Sequence, residues 1–71
     1  MSKLPTNIKG LDLIKTLEKI GFVRTGGKGS HVRLKHLDGR WTQVAVHVKP
    51  IPKGTLRAIL RQTRLEIKDL T

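Results

Sequence analysis

Between His31 and Val48, apolar and polar residues alternate in two runs on either side of Asp38-Gly39, and no other feature of the chain restricts its fold as much. A period of two is that of a β-strand with one buried and one solvated face. In residues 31–36, Val32 and Leu34 point one way while His31, Arg33 and Lys35 point the other. In residues 42–48, Val44, Val46 and Val48 oppose Gln43, Ala45 and His47. Asp-Gly between alternating runs is a hairpin signal. Strands of this kind form antiparallel sheets with one wet side. The buried face fixes the register. Pairing Val32 with Val46 and Leu34 with Val44 calls for a bulge or a loop of three or five residues, because a strict two-residue turn would oppose Leu34 to Gln43. That register sets His31 directly across from His47.

The flanking segments supply what covers the valine face. Over residues 8–20, Leu13, Ile14, Leu17 and Ile20 recur at three- and four-residue spacing, which predicts an amphipathic helix ended by a left-handed cap at Gly21. Residues 22–25 are short and β-prone, a first strand. Pro50 and Pro52 end the third strand. The second helix opens at Lys53-Gly54-Thr55, with Thr55 or a residue just before it as N-cap. It buries Leu56, Ile59 and Leu60 and carries Arg57, Arg61 and Arg64 along another flank. Residues 1–7 read as a loose lead-in. Residues 65–71 read as a tail that adds a helical turn through Leu65, Ile67 and Leu70. The expected fold is α+β in the order α-β-β-β-α: one domain over residues 1–71, a three-stranded antiparallel sheet with two helices on one face. Its other face is open and basic.

Charge bounds the partners. Fifteen Lys and Arg against five Asp and Glu give the 71-residue chain a net charge of +10. An excess of one sign on a domain this small is the footprint of a polyanion binder, with nucleic acid first, an acidic protein next and a membrane surface a distant third. A chain of this length buries only about 60% of its unfolded surface, so any active site is expected to be shallow. The absence of cysteine rules out disulfides and thiolate zinc sites. With no signal-peptide core and no apolar run of membrane-spanning length, the expected location is the cytoplasm.

The candidate chemistry sits in Gly26-Gly27-Lys28-Gly29-Ser30-His31, a glycine-rich basic turn that delivers a histidine at the start of a strand. Glycines let the backbone adopt positive φ or approach a partner closely. Lys28 and the N–H groups of Gly29 and Ser30 suit an anion. Histidine is the side chain that exchanges protons near neutrality. A proton-transfer group beside a phosphate-binding turn points to chemistry on a phosphate; the alternative for His31 is an exposed strand histidine without a role.

Leu17-Glu18-Lys19-Ile20-Gly21-Phe22, Lys28-Gly29-Ser30-His31, His47 and the run from Lys53-Gly54-Thr55-Leu56-Arg57 to Gln62 together resemble the HicA (YcfA-like) toxin family, over roughly residues 10–63. The resemblance implies a double-stranded RNA-binding-domain-like fold, an mRNA interferase activity and a cognate HicB-type antitoxin that blocks it. It also implies that His31 is the active-site histidine. The chain departs from the family at Thr63-Arg64, where Ala-Gly is common; losing that glycine bears on how the second helix ends.

RNA brings its own nucleophile, the 2′-hydroxyl, so a nuclease needs an acid–base group and charge stabilisation around the phosphate. His31 suits the first task; Lys28, Gly29 and Ser30 suit the second. His47 either shares the acid–base work or only touches RNA or the antitoxin. His36 reads as structural, and Ser30 lacks an acidic residue placed to orient a histidine beside it, so covalent catalysis through it is not expected. Arg33, Lys35, Arg57 and Arg61 are candidate phosphate contacts. Trp41 is expected in the core at the sheet edge, with base stacking as the alternative. Five acidic residues without clustered ligand spacing argue for metal-independent cleavage and no cofactor. The rival functions are a non-catalytic RNA-binding domain of the same fold and an interaction module for an acidic partner.

Overall fold

In the computed structural model, which describes residues 7–70, the apolar stripe of the first segment becomes helix α1 (Gly10–Ile20), burying Leu13, Ile14 and Leu17. The expected lead-in lies outside the described residues except for Asn7, and so does the last residue of the tail. The helix starts two residues later than its periodicity predicts because the Ile8 carbonyl accepts a hydrogen bond from the Ile51 N–H (2.8 Å) instead of starting the helical ladder. It ends as expected. Gly21 has φ +116°, the Gly21 N–H donates to the Glu18 carbonyl and the Phe22 N–H to the Leu17 carbonyl. These paired bonds satisfy carbonyls that the helix end leaves open.

Strands β1 (Val23–Gly26), β2 (His31–Lys35) and β3 (Trp41–Ala45) form an antiparallel sheet in that order. β1 begins one residue after the predicted start because Phe22 completes the helix cap and turns into the core. Helix α2 (Lys53–Thr63) then packs beside α1 on one face of the sheet, and a 3-10 turn (Ile67–Leu70) follows. Leu13, Ile14, Leu17, Phe22, Leu34, Val44, Leu56 and Ile59 make the core between helices and sheet. The α-β-β-β-α order, the antiparallel sheet and the placement of both helices on the valine face match the sequence-based expectation.

The register does not. Val32 pairs with Val44, Leu34 with Thr42 and His31 with Ala45, two residues away from the expected pairing. A slip of one residue flips every side chain to the other face, whereas a slip of two leaves each face unchanged, so the alternation could not separate the two registers. The hairpin loop decides between them: the His36 N–H bonds to the Arg40 carbonyl (2.8 Å) and the Gly39 N–H to the His36 carbonyl (3.0 Å), closing residues 36–40. Thr42 takes the interior position that the alternation left for a valine, and its hydroxyl donates to Gln62 Oε1 at 2.7 Å. β3 also stops at Ala45 rather than at Val48. After the Val46 N–H bonds to the Ser30 carbonyl (2.7 Å), β2 has already turned away and there is no partner strand to continue the ladder. Val48 is accordingly exposed.

Helix α2 begins at Lys53 with Pro52 in the cap position, not at Thr55. Proline holds φ near −60°, here with an extended ψ of 147°, and its carbonyl accepts the Leu56 N–H. At the other end Arg64 stands in the left-handed conformation with φ 57°, and the Arg64 and Leu65 N–H groups cap the Arg61 and Leu60 carbonyls. The loss of the glycine therefore leaves the cap geometry intact and puts strain on the arginine, about 1–2 kcal/mol for a residue with a Cβ. Arg64→Gly is expected to raise the stability of the domain by about 1 kcal/mol, read as a higher urea midpoint at unchanged slope.

Arg40, which no local pattern in the sequence marks, ties the hairpin to the end of α2. Its Nε bonds Asp38 Oδ2 at 2.7 Å, its Nη1 bonds the Thr63 carbonyl, and its guanidinium lies 5.2 Å from the centre of the Phe22 ring. The Arg40 N–H, foremost, and then its guanidinium hold the Asp38 carboxyl below the usual carboxylate range. His36 packs edge-on against Phe22 at 5.1 Å, the structural place that parity gave it.

Candidate active site

Gly27 and Gly29 shape the turn before β2. Gly29 has φ +58° and the His31 N–H returns to the Lys28 carbonyl at 3.0 Å, so the chain reverses over Lys28-Gly29-Ser30-His31. Gly27 has φ +143°, and a Cβ there would run into the backbone carbonyl of His31. The position needs glycine twice over, for its conformation and for the close approach. Gly27→Ala is expected to displace the His31 backbone in a domain that still unfolds cooperatively, read as a shift of the His31 amide resonance beside a thermal melt.

His31 leaves this turn exposed, as the first residue of β2. It lines a cleft of about 630 Å³ together with His47, Ala45, Lys49, Ile51 and Thr55. The two histidines therefore share a cavity although they are not cross-strand partners. The chain brings His47 there by leaving the sheet after Ala45 and passing through Val48, Lys49 and Pro50 toward α2. Val48, Pro50 and Pro52 add apolar walls, and Val44 and Ile59 reach in from the core side. The two prolines read in the sequence only as strand and helix breakers; their second use, walling a cleft, carries no signal of its own. Among the described residues neither imidazole has a hydrogen-bond or ionic partner. Each ring therefore has its donor and its acceptor nitrogen available for a ligand.

The other candidate residues divide between surfaces. Lys28 and Gly29 stand exposed on the turn with Ser30 half-buried beside them, next to His31 but outside the lining of the cleft. Arg33 and Lys35 follow His31 along the open sheet face. Arg57 and Arg61 are exposed on α2, which covers the opposite face, so the structure does not bring them to the face that carries His31. Trp41 is not in the core. It pairs with Lys35 on the open face, is 51% exposed, and has the Arg33 guanidinium 5.6 Å from its ring centre. Strand parity accounts for this: Trp41 alternates with buried Thr42 and Val44 and so shares the outward face with Gln43 and Ala45.

Among the described residues no helix is long and apolar enough to cross a membrane. A search of curated proteins finds no match. The family described as "HicA toxin of bacterial toxin-antitoxin" matches residues 10–65, from the start of α1 through the cap of α2 and including the glycine turn, His31 and His47; the chain belongs to the HicA toxin family.

Proposed function

We propose that the protein is an mRNA-cleaving endoribonuclease of the cytoplasm that needs no metal, with His31 as its acid–base group. A toxin of this family has an antitoxin partner; here that partner is a HicB-type protein that neutralises the enzyme. The observation that carries the reading is the placement of His31: fixed at the first position of β2 by the glycine turn, exposed, and facing a cleft that also holds His47.

The chemistry is balanced by the substrate itself. A base accepts the proton of the 2′-hydroxyl, the 2′-oxygen attacks the adjacent phosphorus, and the bond to the 5′-oxygen breaks as that oxygen takes up a proton. The products are a 2′,3′-cyclic phosphate and a 5′-hydroxyl. His31 handles one of the two protons, and His47 stands in the same cleft for the other. Lys28 and the amides of Gly29 and Ser30 flank the phosphate and stabilise its growing charge. Arg33 and Lys35 hold neighbouring phosphates without reading sequence. Arg57 and Arg61, on the far side of the domain, serve a second stretch of a long RNA.

The test is the chemistry of the ends. A transcript cut by the purified protein should carry 2′,3′-cyclic phosphate and 5′-hydroxyl termini, and a single 2′-deoxy substitution at the cut nucleotide should abolish that cut. Cleavage that tolerates the substitution would overturn the mechanism. Binding without any cleavage would favour the non-catalytic RNA-binding domain.

A further inference from the structure

We propose that the open face of the sheet is a track for single-stranded RNA in which one unpaired base stacks on Trp41, so that this residue sets which phosphate comes to rest at His31. The second clause rests on the nuclease reading above; the first does not.

The argument begins with what a half-exposed tryptophan is doing on a solvated face. Large aromatics bury well, and Trp41 holds 51% of its surface open. It is not isolated. Lys35 lies directly across from it, Gln43 is the next residue of β3 on the same face, and Arg33 lies across from Gln43. The Arg33 guanidinium sits over one side of the indole at 5.6 Å, which holds the ring in place and leaves the rest of its surface for a ligand. Exposed Val23, paired with Lys35 from β1, widens the apolar floor beside the cations.

Charge selects the ligand. None of the five acidic residues of the chain neutralises this face. Glu18 pairs with Arg24, Glu66 with Lys68, and Asp69 accepts the Glu66 N–H. Asp12 lies in the first turn of α1. Asp38, which shares a shallow cleft with Trp41, is held by Arg40. Arg33 and Lys35 thus form an uncompensated cationic pair along β2, with an aromatic at one end and the candidate catalytic histidine at the other. Cations that track a backbone and an aromatic that accepts a base are the two components of single-strand recognition. A duplex keeps its bases stacked inside, out of reach of an indole on a sheet surface. Trp41 lies four residues along β3 from Ala45, the partner of His31, so base and scissile phosphate are separated by about 13 Å of strand. That distance holds about four nucleotides at stacked spacing and fewer if the RNA is stretched.

Trp41 is the sole tryptophan, and there is no tyrosine, so intrinsic fluorescence reports on this one site. The experiment titrates His31→Ala protein, which leaves RNA uncut, with a short single-stranded oligoribonucleotide and with the same strand annealed to its complement. The single strand should quench the tryptophan; the duplex should bind with little quenching. Adding Trp41→Ala should weaken single-strand binding about 5- to 150-fold, and Trp41→Phe should recover most of the loss. In protein that retains His31, Trp41→Ala should scatter the cut sites. Equal single-strand affinity with and without the indole, or binding with no quenching, would overturn the proposal and leave Trp41 to a protein interface. Failure of the nuclease reading shows separately, as wild-type protein that leaves a transcript intact, because quenching and affinity are read on protein that does not cut.

Discussion

Replacing His31 with alanine is expected to slow RNA cleavage by about 10²–10⁴-fold while leaving the affinity for RNA unchanged. The size follows from what is removed: the imidazole proposed as the proton-transfer group, which the glycine turn sets in the lining of the cleft. The affinity should survive because the groups suited to hold phosphates, Lys28, Arg33 and Lys35, are separate side chains with no carboxylate partner among the described residues. His31 is exposed and packs against nothing in the core, so the variant should fold. A single-turnover rate measured beside equilibrium binding separates these effects. His47→Ala provides the comparison. A loss as large as that of His31→Ala assigns the second proton to His47, and a small loss makes it a contact residue.

The largest effect on stability is expected at Phe22. Its ring is 2% exposed, edge-on to His36, and lies beneath the Arg40 guanidinium. Truncation to alanine removes a large core side chain and also the surface on which the hairpin loop and the end of α2 meet. Phe→Ala substitutions in cores cost about 3–5 kcal/mol. Domains hold about 5–15 kcal/mol in total, and one this small has little to spare. Phe22→Ala should therefore bring the urea midpoint close to zero, whereas Phe22→Leu, which keeps most of the volume, should lose far less.

The order of elements could be read from the chain because each is written with its own period. Three- and four-residue spacing marks both helices, two-residue spacing marks β2 and β3, and Gly21 closes α1 as its position predicts. The register could not be read. Its two candidates differ by two residues, which moves no side chain from one face to the other, and the choice rests on hydrogen bonds within residues 36–40. From that one shift follow the pairing of Leu34 with Thr42 and the loss of the direct pairing of His31 with His47, while Trp41 faces outward by the same parity as Gln43 and Ala45. Both histidines line one cleft all the same, through the path of the chain after Ala45, a route that periodicity does not describe. Arg40 was illegible for a different reason. In a chain with fifteen basic residues, nothing local marks the one that is held by an aspartate, a helix-terminal carbonyl and an aromatic ring.

The central claim is that this domain cuts RNA with its own side chains, through His31. The most direct measurement incubates purified wild-type and His31→Ala protein with a long single-stranded transcript in EDTA and separates the products on a gel. The account predicts discrete fragments with the wild type and an intact transcript with the variant. Equal cleavage by both proteins, or an intact transcript with both, would contradict it.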